Sequence, residues 1–318
     1  MLRFIIGTNE QARRGALYAA IKDWGKAAYL VVPEQFSFES EKLLGEALGA
    51  EAAQKVEVLS FSRLCNSVFR RFGGVAGEYS DDTTKLLLMG AALHECADNL
   101  KYYKKNAHNA AFIEKLVHTD SEIKNAGLDC VDLLRVSDDA AGSVLRDKAA
   151  DLSSVFALYD AMLAKSFLDP LTDISRACDI LLENDFFSET AVFIDNFTGF
   201  TGSEYKLLRI ILAQSPLVAA SLCCPEIYDR TGGTGLFSKT QRTARRLEQA
   251  AKAAGAAVMT PTVAAPKHDC RPKAISAIER HFLQSGGEQP QANGEVKIVT
   301  PPMFMTKRNL LRAKSALL

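Results

Sequence analysis

The chain has 318 residues, of which 47% are hydrophobic and 24% charged, a composition typical of a soluble globular protein with room for two domains or one domain with an insertion. Lysine and arginine together number 38, as do aspartate and glutamate, so the formal net charge is zero. This balance indicates neither a nucleic-acid nor a membrane partner, although a local patch could still bind either. Seven scattered cysteines without a Cys-x-x-Cys pair, no signal peptide and no long apolar stretch predict a reduced, cytoplasmic protein without a membrane partner.

The N-terminus has the skeleton of a phosphate-binding loop. Residues 2–6 are a short apolar run that ends at Gly7, as a buried first strand does before a turn. A working P-loop consists of a glycine, four further residues and then Gly-Lys-Ser/Thr. Its backbone N–H groups and its lysine bind the phosphates, and its Ser/Thr hydroxyl binds Mg²⁺. Counted from Gly7, those last three positions hold Ala12, Arg13 and Arg14. Arg13 keeps a positive charge but Arg14 cannot bind a metal, which indicates a fold that once handled ATP and now does something else.

Strands and helices alternate along most of the chain. Beyond the first run, strands are predicted at 29–32, 56–59, 191–194, 217–222 and 296–299. Helices are predicted at 12–24, 36–48, 61–72 and 236–254, and connectors at 260–272 and 285–294. This alternation predicts an α/β fold with a parallel sheet covered on both faces. Residues 81–182 have helical periodicity with almost no strand signal, which predicts an all-helical insertion.

The run at 191–194 ends in Asp195, where P-loop ATPases place the carboxylate that holds Mg²⁺. In active motors of this kind a glutamate follows and activates water, whereas here the next residue is Asn196, which cannot accept a proton. An aspartate after a strand is also a common cap or turn residue, but beside the degenerate first loop it indicates poor or absent hydrolysis. The five histidines lack metal-ligand spacing and no nucleophile–base pair is visible, so we predict no catalytic and no metal-binding residue.

Three strings resemble the N-terminal part of the AddB family, the B subunits of the bacterial ATP-dependent helicase–exonuclease that processes DNA double-strand breaks. They are LVVPEQFSFESE at 30–41, VLSFSRL at 58–64 and IDNFTGFT at 194–201, and the resemblance extends from residue 1 to about residue 299. The strings are long, in the family's order and separated by a helical insertion of the expected size.

The resemblance implies a RecA-like, P-loop NTPase-type sheet of the superfamily-one helicase kind, interrupted by a helical domain. We accordingly predict domains at 1–80 and 183–284 (RecA-like), 81–182 (helical insertion) and 285–318 (linker and truncated start of a second RecA-like domain). It also implies roles in DNA repair and homologous recombination, with an AddA-like motor subunit and single-stranded DNA, including its Chi signal, as partners. The family's nuclease domain and iron–sulfur cluster belong to a later part of the chain, so no cofactor is expected in this fragment.

By position in the family, 33–41 and 60–63 match loops that face single-stranded DNA. Phe36, Phe38 and Phe61 are therefore candidates for stacking on bases, and Ser60 and Arg63 for phosphate contacts. Each also has an ordinary interpretation, since an aromatic residue that starts an amphipathic helix often belongs to the core and a helical arginine is often a solvated charge. A basic helical face, which could follow a phosphate backbone or simply be solvated, consists of Lys239, Arg242, Arg245 and Arg246.

Two departures from the family separate this chain from many of its relatives. The intact Gly-x-x-x-x-Gly-Lys-Ser/Thr loop of those relatives is missing, which removes the expectation of ATP and Mg²⁺ binding. The tail from about Pro302 lacks the acidic, alanine-rich helix of the family, and a one-nucleotide slip would restore it, so we read the tail as out of frame. The alternatives are a nucleotide-binding ATPase that uses Arg13 and Asp195, or a protein-interaction scaffold that does not touch DNA.

Overall fold

The structure, a computed structural model, describes residues 1–74, 77–106, 109–139, 142–229 and 232–265, and the chain from Met1 to Ala265 is one compact unit. The strands are β1 (Leu2–Gly7), β2 (Ala28–Val31), β3 (Val56–Leu59), β4 (Glu78–Tyr79), β5 (Phe167–Leu168), β6 (Ala191–Ile194), β7 (Val218–Cys223) and β8 (Thr262–Val263). The α-helices are α1 (Glu10–Trp24), α2 (Ser37–Leu48), α3 (Ala50–Ala53), α4 (Phe61–Phe72), α5 (Asp82–Cys96), α6 (Ala110–Asn125), α7 (Cys130–Asp139), α8 (Ser143–Leu163), α9 (Asp173–Glu183), α10 (Gly202–Gln214) and α11 (Ser238–Ala253). Short 3₁₀ helices lie at Glu34–Phe36, Lys104–Asn106 and Pro170–Thr172.

Within these described ranges the main sheet has six strands in the order β3-β2-β6-β7-β1-β8, and every pairing in it is parallel. Because parallel strands all end at one edge, the residues that follow β1, β2, β3 and β6 share the carboxyl edge of the sheet. β7 lies between β1 and β6, so one strand separates Gly7 from Asp195 along this edge. The chain has the α/β fold with a RecA-like parallel sheet that the sequence predicts.

Both faces of the sheet are covered by helices. Side chains alternate between the faces of a strand, so Phe4 and Ile6 of β1 join one core and Ile5 joins the other. The core around Phe4 packs against α4, α9, α10 and α11, whereas the core around Ile5 packs against α1 and α2. Burial on both faces explains why the strands read as continuous apolar runs without polar alternation.

Polar caps fix where several helices begin. The side chains of Asn9, Ser60 and Asp81 accept hydrogen bonds from the first turns of α1, α4 and α5. At α10, Thr201 accepts from the backbone N–H of Glu204, whose side chain accepts from the backbone N–H of Thr201 in return.

The helices α5 to α8 share a core of their own, centred on Met89, Leu116, Phe156 and Tyr159. The two-residue strands β4 and β5 pair in parallel where this helical stretch begins and ends, a contact that its sequence does not signal. After it, α9 returns to the main sheet through the core around Phe4. The division into domains at residues 80, 182 and 284 stays a prediction.

The predicted strands at 2–6, 29–32, 56–59, 191–194 and 217–222 are all present with shifts of one residue at some ends. The connector predicted at 260–272 is wrong at its start, because Thr262 and Val263 form β8 and pair with Ile5 and Ile6. Two residues beside a proline are too few to show strand periodicity. The predicted strand at 296–299, the connector at 285–294 and the tail from Pro302 lie outside the described residues.

Candidate functional site

The connection between β1 and α1 is too short for a P-loop. β1 ends at Gly7 and α1 begins at Glu10, which leaves Thr8 and Asn9 as the whole turn. The backbone N–H of Ala12 donates to the Asn9 side chain at 2.9 Å, so this amide already has a partner within the chain. Ala12, Arg13 and Arg14 therefore lie inside the helix, whereas a P-loop holds its phosphate in an open, glycine-rich loop.

Arg13 folds back over the end of β1. Its Nη1 donates to the carbonyl of Gly7 at 2.7 Å, the residue is 8% exposed, and its Nε has no hydrogen-bond partner among the described atoms. The same place is closed by the segment after β8, because a Cβ added to Gly7 would lie 2.4 Å from the carbonyl oxygen of Ala264. The space over Gly7 is thus occupied by the protein's own side chain and backbone.

Asp195 follows β6 at the same edge of the sheet and is 6% exposed. Its backbone N–H donates to the carbonyl of Val31 at 3.1 Å, which extends the pairing of β6 with β2. Burial raises the pKa of the Asp195 carboxyl, while the Ser221 side chain, the Asn196 backbone and the charges of Arg14 and Arg13 act to lower it. The fold therefore places the two halves of the predicted degenerate site at one edge of the sheet, with β7 between their strands. Asn196 beside them has a φ of 63°, the left-handed conformation that asparagine tolerates better than most residues.

The loop after Asp195 is held by aromatic packing. Phe61 contacts Phe197 and Phe200 with ring centroids 5.5 and 6.0 Å apart, and Phe200 in turn contacts Tyr205 at 5.5 Å. Phe61 is only 5% exposed, so its ring is part of the core and is not presented to a base. Phe61 thus holds the Asp195 loop against α4. The sequence pattern alone did not distinguish such a core residue from a platform for base stacking.

The segments 33–41 and 60–63 meet at this edge. The backbone N–H of Val32 donates to the carbonyl of Leu59 at 2.9 Å, and Arg63 Nε lies 3.3 Å from Glu34 Oε1. The guanidinium is half-exposed, so it remains open to a phosphate beside its contact with Glu34. Ser60 is 4% exposed and its Oγ accepts from the backbone N–H of Arg63, so its hydroxyl acts as the helix cap.

The aromatic side chains of the first segment differ in exposure. Phe36 is half-buried and packs against the core around Ile5, whereas Phe38 is 81% exposed on the first turn of α2. Of the three phenylalanines named from the sequence, Phe38 is therefore the one presented to solvent. An exposed ring at this position is free to stack on a base.

The basic face of α11 lies beside the Asp195 loop. Thr243 Oγ1 donates to the carbonyl of Thr198 at 2.9 Å, and Lys239 lies against Gly199. Arg246, one turn after Thr243, covers the Tyr205 ring, with its guanidinium carbon 4.1 Å from the ring centroid. The contacts of α11 with this loop could not be read from the sequence, because they join residues far apart in the chain.

Among the described residues, no three or more His, Cys, Asp or Glu side chains come together in a way that could hold a metal ion. A search of the same residues finds no helix with the length and apolar character needed to cross a bilayer.

Comparison with known proteins gives a consistent set of similarities. The profile of the family described as "ADDB, N-terminal" matches residues 4–279. The chain is 28% identical over 257 residues to the B subunit of the ATP-dependent helicase/deoxyribonuclease of Caldanaerobacter subterraneus subsp. tengcongensis, covering 80% of this chain and 22% of the relative. Proteins of the same description in Clostridium tetani (28% over 256 residues, 77% and 22% covered) and Thermoanaerobacter pseudethanolicus (29% over 218 residues, 69% and 19% covered) are similar to it as well. The chain thus spans about a fifth of the length of the curated relatives it matches.

Proposed function

Because the chain belongs to the AddB N-terminal family, we propose that it is the helicase-like N-terminal part of the B subunit of a cytoplasmic ATP-dependent helicase/deoxyribonuclease in double-strand break repair. In this role it forms part of a path for single-stranded DNA, including recognition of a Chi-type signal, and docks on an AddA-like motor subunit. It does not itself hydrolyse ATP. The observation that carries the proposal is the meeting of 33–41, 60–63 and the Asp195 loop at one edge of a parallel sheet.

The geometry of that edge supports a non-catalytic role. A bound nucleotide needs free backbone N–H groups around its phosphates, yet the amide of Ala12 already donates to Asn9, and the Arg13 side chain covers the end of β1. Hydrolysis also needs a base to activate water, and Asn196 cannot accept a proton.

The exposed groups support a contact with single strands. Proteins that bind single-stranded DNA combine aromatic platforms for bases with cations for the backbone. At this edge Phe38 offers an exposed ring, and Arg63 and Lys239 are cations close to the loops that meet there. Arg63 and Glu34 form an exposed ion pair between the two segments, which leaves the guanidinium accessible to a phosphate.

The proposal is tested by fluorescence anisotropy of a labelled oligothymidine with this chain, alone and assembled with the motor subunit. Phe38→Ala should raise the Kd at least about fivefold, because the loss of one stacked ring costs about 1–3 kcal/mol. Arg63→Ala should weaken binding and reduce its salt dependence, since one phosphate contact is lost.

Tyr102→Ala is the matched control, because Tyr102 is an exposed aromatic residue (45%) of the helical stretch that takes no part in the proposed path. Equal affinities of wild type, Phe38→Ala and Arg63→Ala in the assembled enzyme would exclude this edge as a DNA path. They would favour a protein scaffold.

A nucleotide-binding ATPase is the second candidate, and the shared neighbourhood of Arg13, Arg14 and Asp195 is the observation that favours it. Arginine can bind phosphate bidentately, so the side chain that now covers Gly7 would have to swing outward. Calorimetric titration with Mg-ATP separates the two functions. We expect no heat of binding from wild type or Arg13→Ala, whereas Mg²⁺-dependent binding that disappears in Arg13→Ala would establish the second candidate.

A further inference from the structure

The outer surface of α10 carries a groove that the proposed DNA path does not use. Two adjoining depressions of about 590 and 430 Å³ share Lys206, Arg209 and Ala253 in their walls, so they form one continuous channel. α9 forms one wall, α11 forms the other, and α10 runs through both depressions. We call this channel the α10 groove.

Each helix gives the groove one stripe of its surface. The lining residues recur at intervals of three and four, as in Lys206, Arg209, Ile210 and Ala213 of α10, so one face of every helix is turned toward the channel. On α11 the stripe ends in small residues that include Ala253. Small side chains allow another backbone to approach closely, and the groove follows α10 for about three turns, the length of a short helix.

The floor of the groove has unburied apolar surface. Leu182 of α9 is 74% exposed and Ile210 of α10 is half-buried, and both line the larger depression. Apolar surface of this kind gains free energy when a partner removes it from water. An occupant therefore needs an apolar stripe of its own.

The charges along the groove are predominantly positive. Lys206, Arg209 and Arg246 line it, against a single lining carboxylate, Asp179. Within the described residues Arg209 has no hydrogen-bond or ion-pair partner, whereas Lys252 on the neighbouring turn of α11 is paired with Glu248 at 2.7 Å. Lys206 donates to the carbonyl of Gly127 and Arg246 covers the Tyr205 ring, so neither of them has a carboxylate partner in the described part of the chain. Cations without a counter-charge beside apolar surface favour an occupant with carboxylates at its edges.

We propose that the α10 groove binds an acidic amphipathic helix of the partner subunit. Single-stranded DNA fits the groove less well, because its lining aromatic residue, Tyr205, is 8% exposed and covered by Arg246, which leaves no platform for a base. This inference rests on the proposed function only in that the chain has a partner subunit. To the proposed function it adds the surface on which the partner docks and the chemistry of the partner's helix.

The test uses biolayer interferometry to measure the affinity of this chain for the purified motor subunit. Arg209→Glu reverses an unpaired charge and Leu182→Glu adds a carboxylate to exposed apolar floor, and neither side chain is part of the folded core. Each should raise the Kd by at least about tenfold, the effect expected when a central contact is lost. Lys42→Glu, on α2 at the opposite face of the sheet, should leave the Kd within about twofold of wild type.

A wild-type complex that is unaffected by both groove variants would overturn the inference and leave the proposed function intact. If the wild-type chain binds no motor subunit, the docking part of the proposed function fails, and a labelled peptide decides the inference. The peptide is a helix with leucines on one face and glutamates beside them, matched by a copy with lysines for glutamates. Preferential binding of the glutamate peptide that Arg209→Glu abolishes supports the inference, and equal binding of both peptides contradicts it.

Discussion

Asp195 is a carboxylate whose surroundings suit a neutral group better than a charged one. It lies at the end of a fully buried strand, is 6% exposed, and its pKa is raised by burial in spite of Arg14 and Arg13 nearby. In an ATPase the bound Mg²⁺ would supply the charge that keeps such a carboxylate ionised. Here the charges of Arg14 and Arg13 favour the ionised form in part.

We expect Asp195→Asn to be neutral or stabilising at pH 7. A raised carboxyl pKa means that the folded state holds its proton more tightly than the unfolded state, so ionisation costs stability as the pH rises through the folded value. The advantage of the asparagine variant should therefore be present at neutral pH and disappear below about pH 4, where the unfolded carboxyl is also protonated.

Thermal unfolding of both proteins across this pH range measures the effect, together with ATP hydrolysis by the assembled enzyme, which should not change. A loss of hydrolysis in Asp195→Asn would show that Asp195 still serves catalysis.

For individual residues, the sequence predicted candidate positions, but it could not predict the contacts that each side chain makes. The order of Gly7, Ala12, Arg13 and Asp195 predicted a degenerate site, because strand ends and loop spacing are local properties. The burial of Phe61 could not be predicted, since it depends on Phe197 and Phe200, which come from a distant loop.

The helices α5, α6 and α8 are tied to the chain before α9 by a buried cluster of charges. Lys124 Nζ lies 2.9 Å from Asp120, 2.8 Å from Asp160 and 2.9 Å from Asp169, and Lys85 Nζ lies 3.0 Å from Asp169. The carboxylates hold the pKa of Lys124 above its usual value, whereas burial raises the pKa of Asp120 to about 6. The cluster is stable only as long as the lysine balances the aspartates around it.

Lys124→Met should destabilise the chain by about 3–5 kcal/mol, because it leaves the buried carboxylate of Asp120 without its counter-charge and Asp169 with Lys85 alone. Urea unfolding at pH 7 measures the change. Lys42→Met is the matched control: its exposed pair with Glu46 is 4.0 Å long and should contribute less than about 1 kcal/mol. Equal unfolding midpoints of the two variants would mean that the cluster does not hold these helices together.

Among the secondary-structure elements, short continuous apolar runs and helical spacing were sufficient to predict the main strands of the sheet and the helical stretch. The short strands β4, β5 and β8 were not predictable, because two residues carry no periodicity and their pairing depends on partners far along the chain. β8 matters to the site, since the chain that follows it closes the space over Gly7.

Taken as a whole, the fold has a RecA-like parallel sheet, but the turn after its first strand does not form a P-loop. The parallel sheet still places the ends of β1, β2, β3 and β6 together, but side chains fill the place of a phosphate and an exposed phenylalanine lies beside it. The chain belongs to the AddB N-terminal family, and under the proposed function another subunit supplies the motor. We therefore expect the edge to contact single-stranded DNA in the assembled enzyme.

Photocrosslinking tests this contact in the assembled enzyme, with single-stranded DNA that carries 5-iododeoxyuridine and mass spectrometry of the crosslinked peptides. We expect crosslinks in the peptides that contain Phe38 and Arg63, and their loss in Phe38→Ala. Crosslinks confined to other parts of the chain, with none at this edge, would contradict a role of the edge in binding DNA.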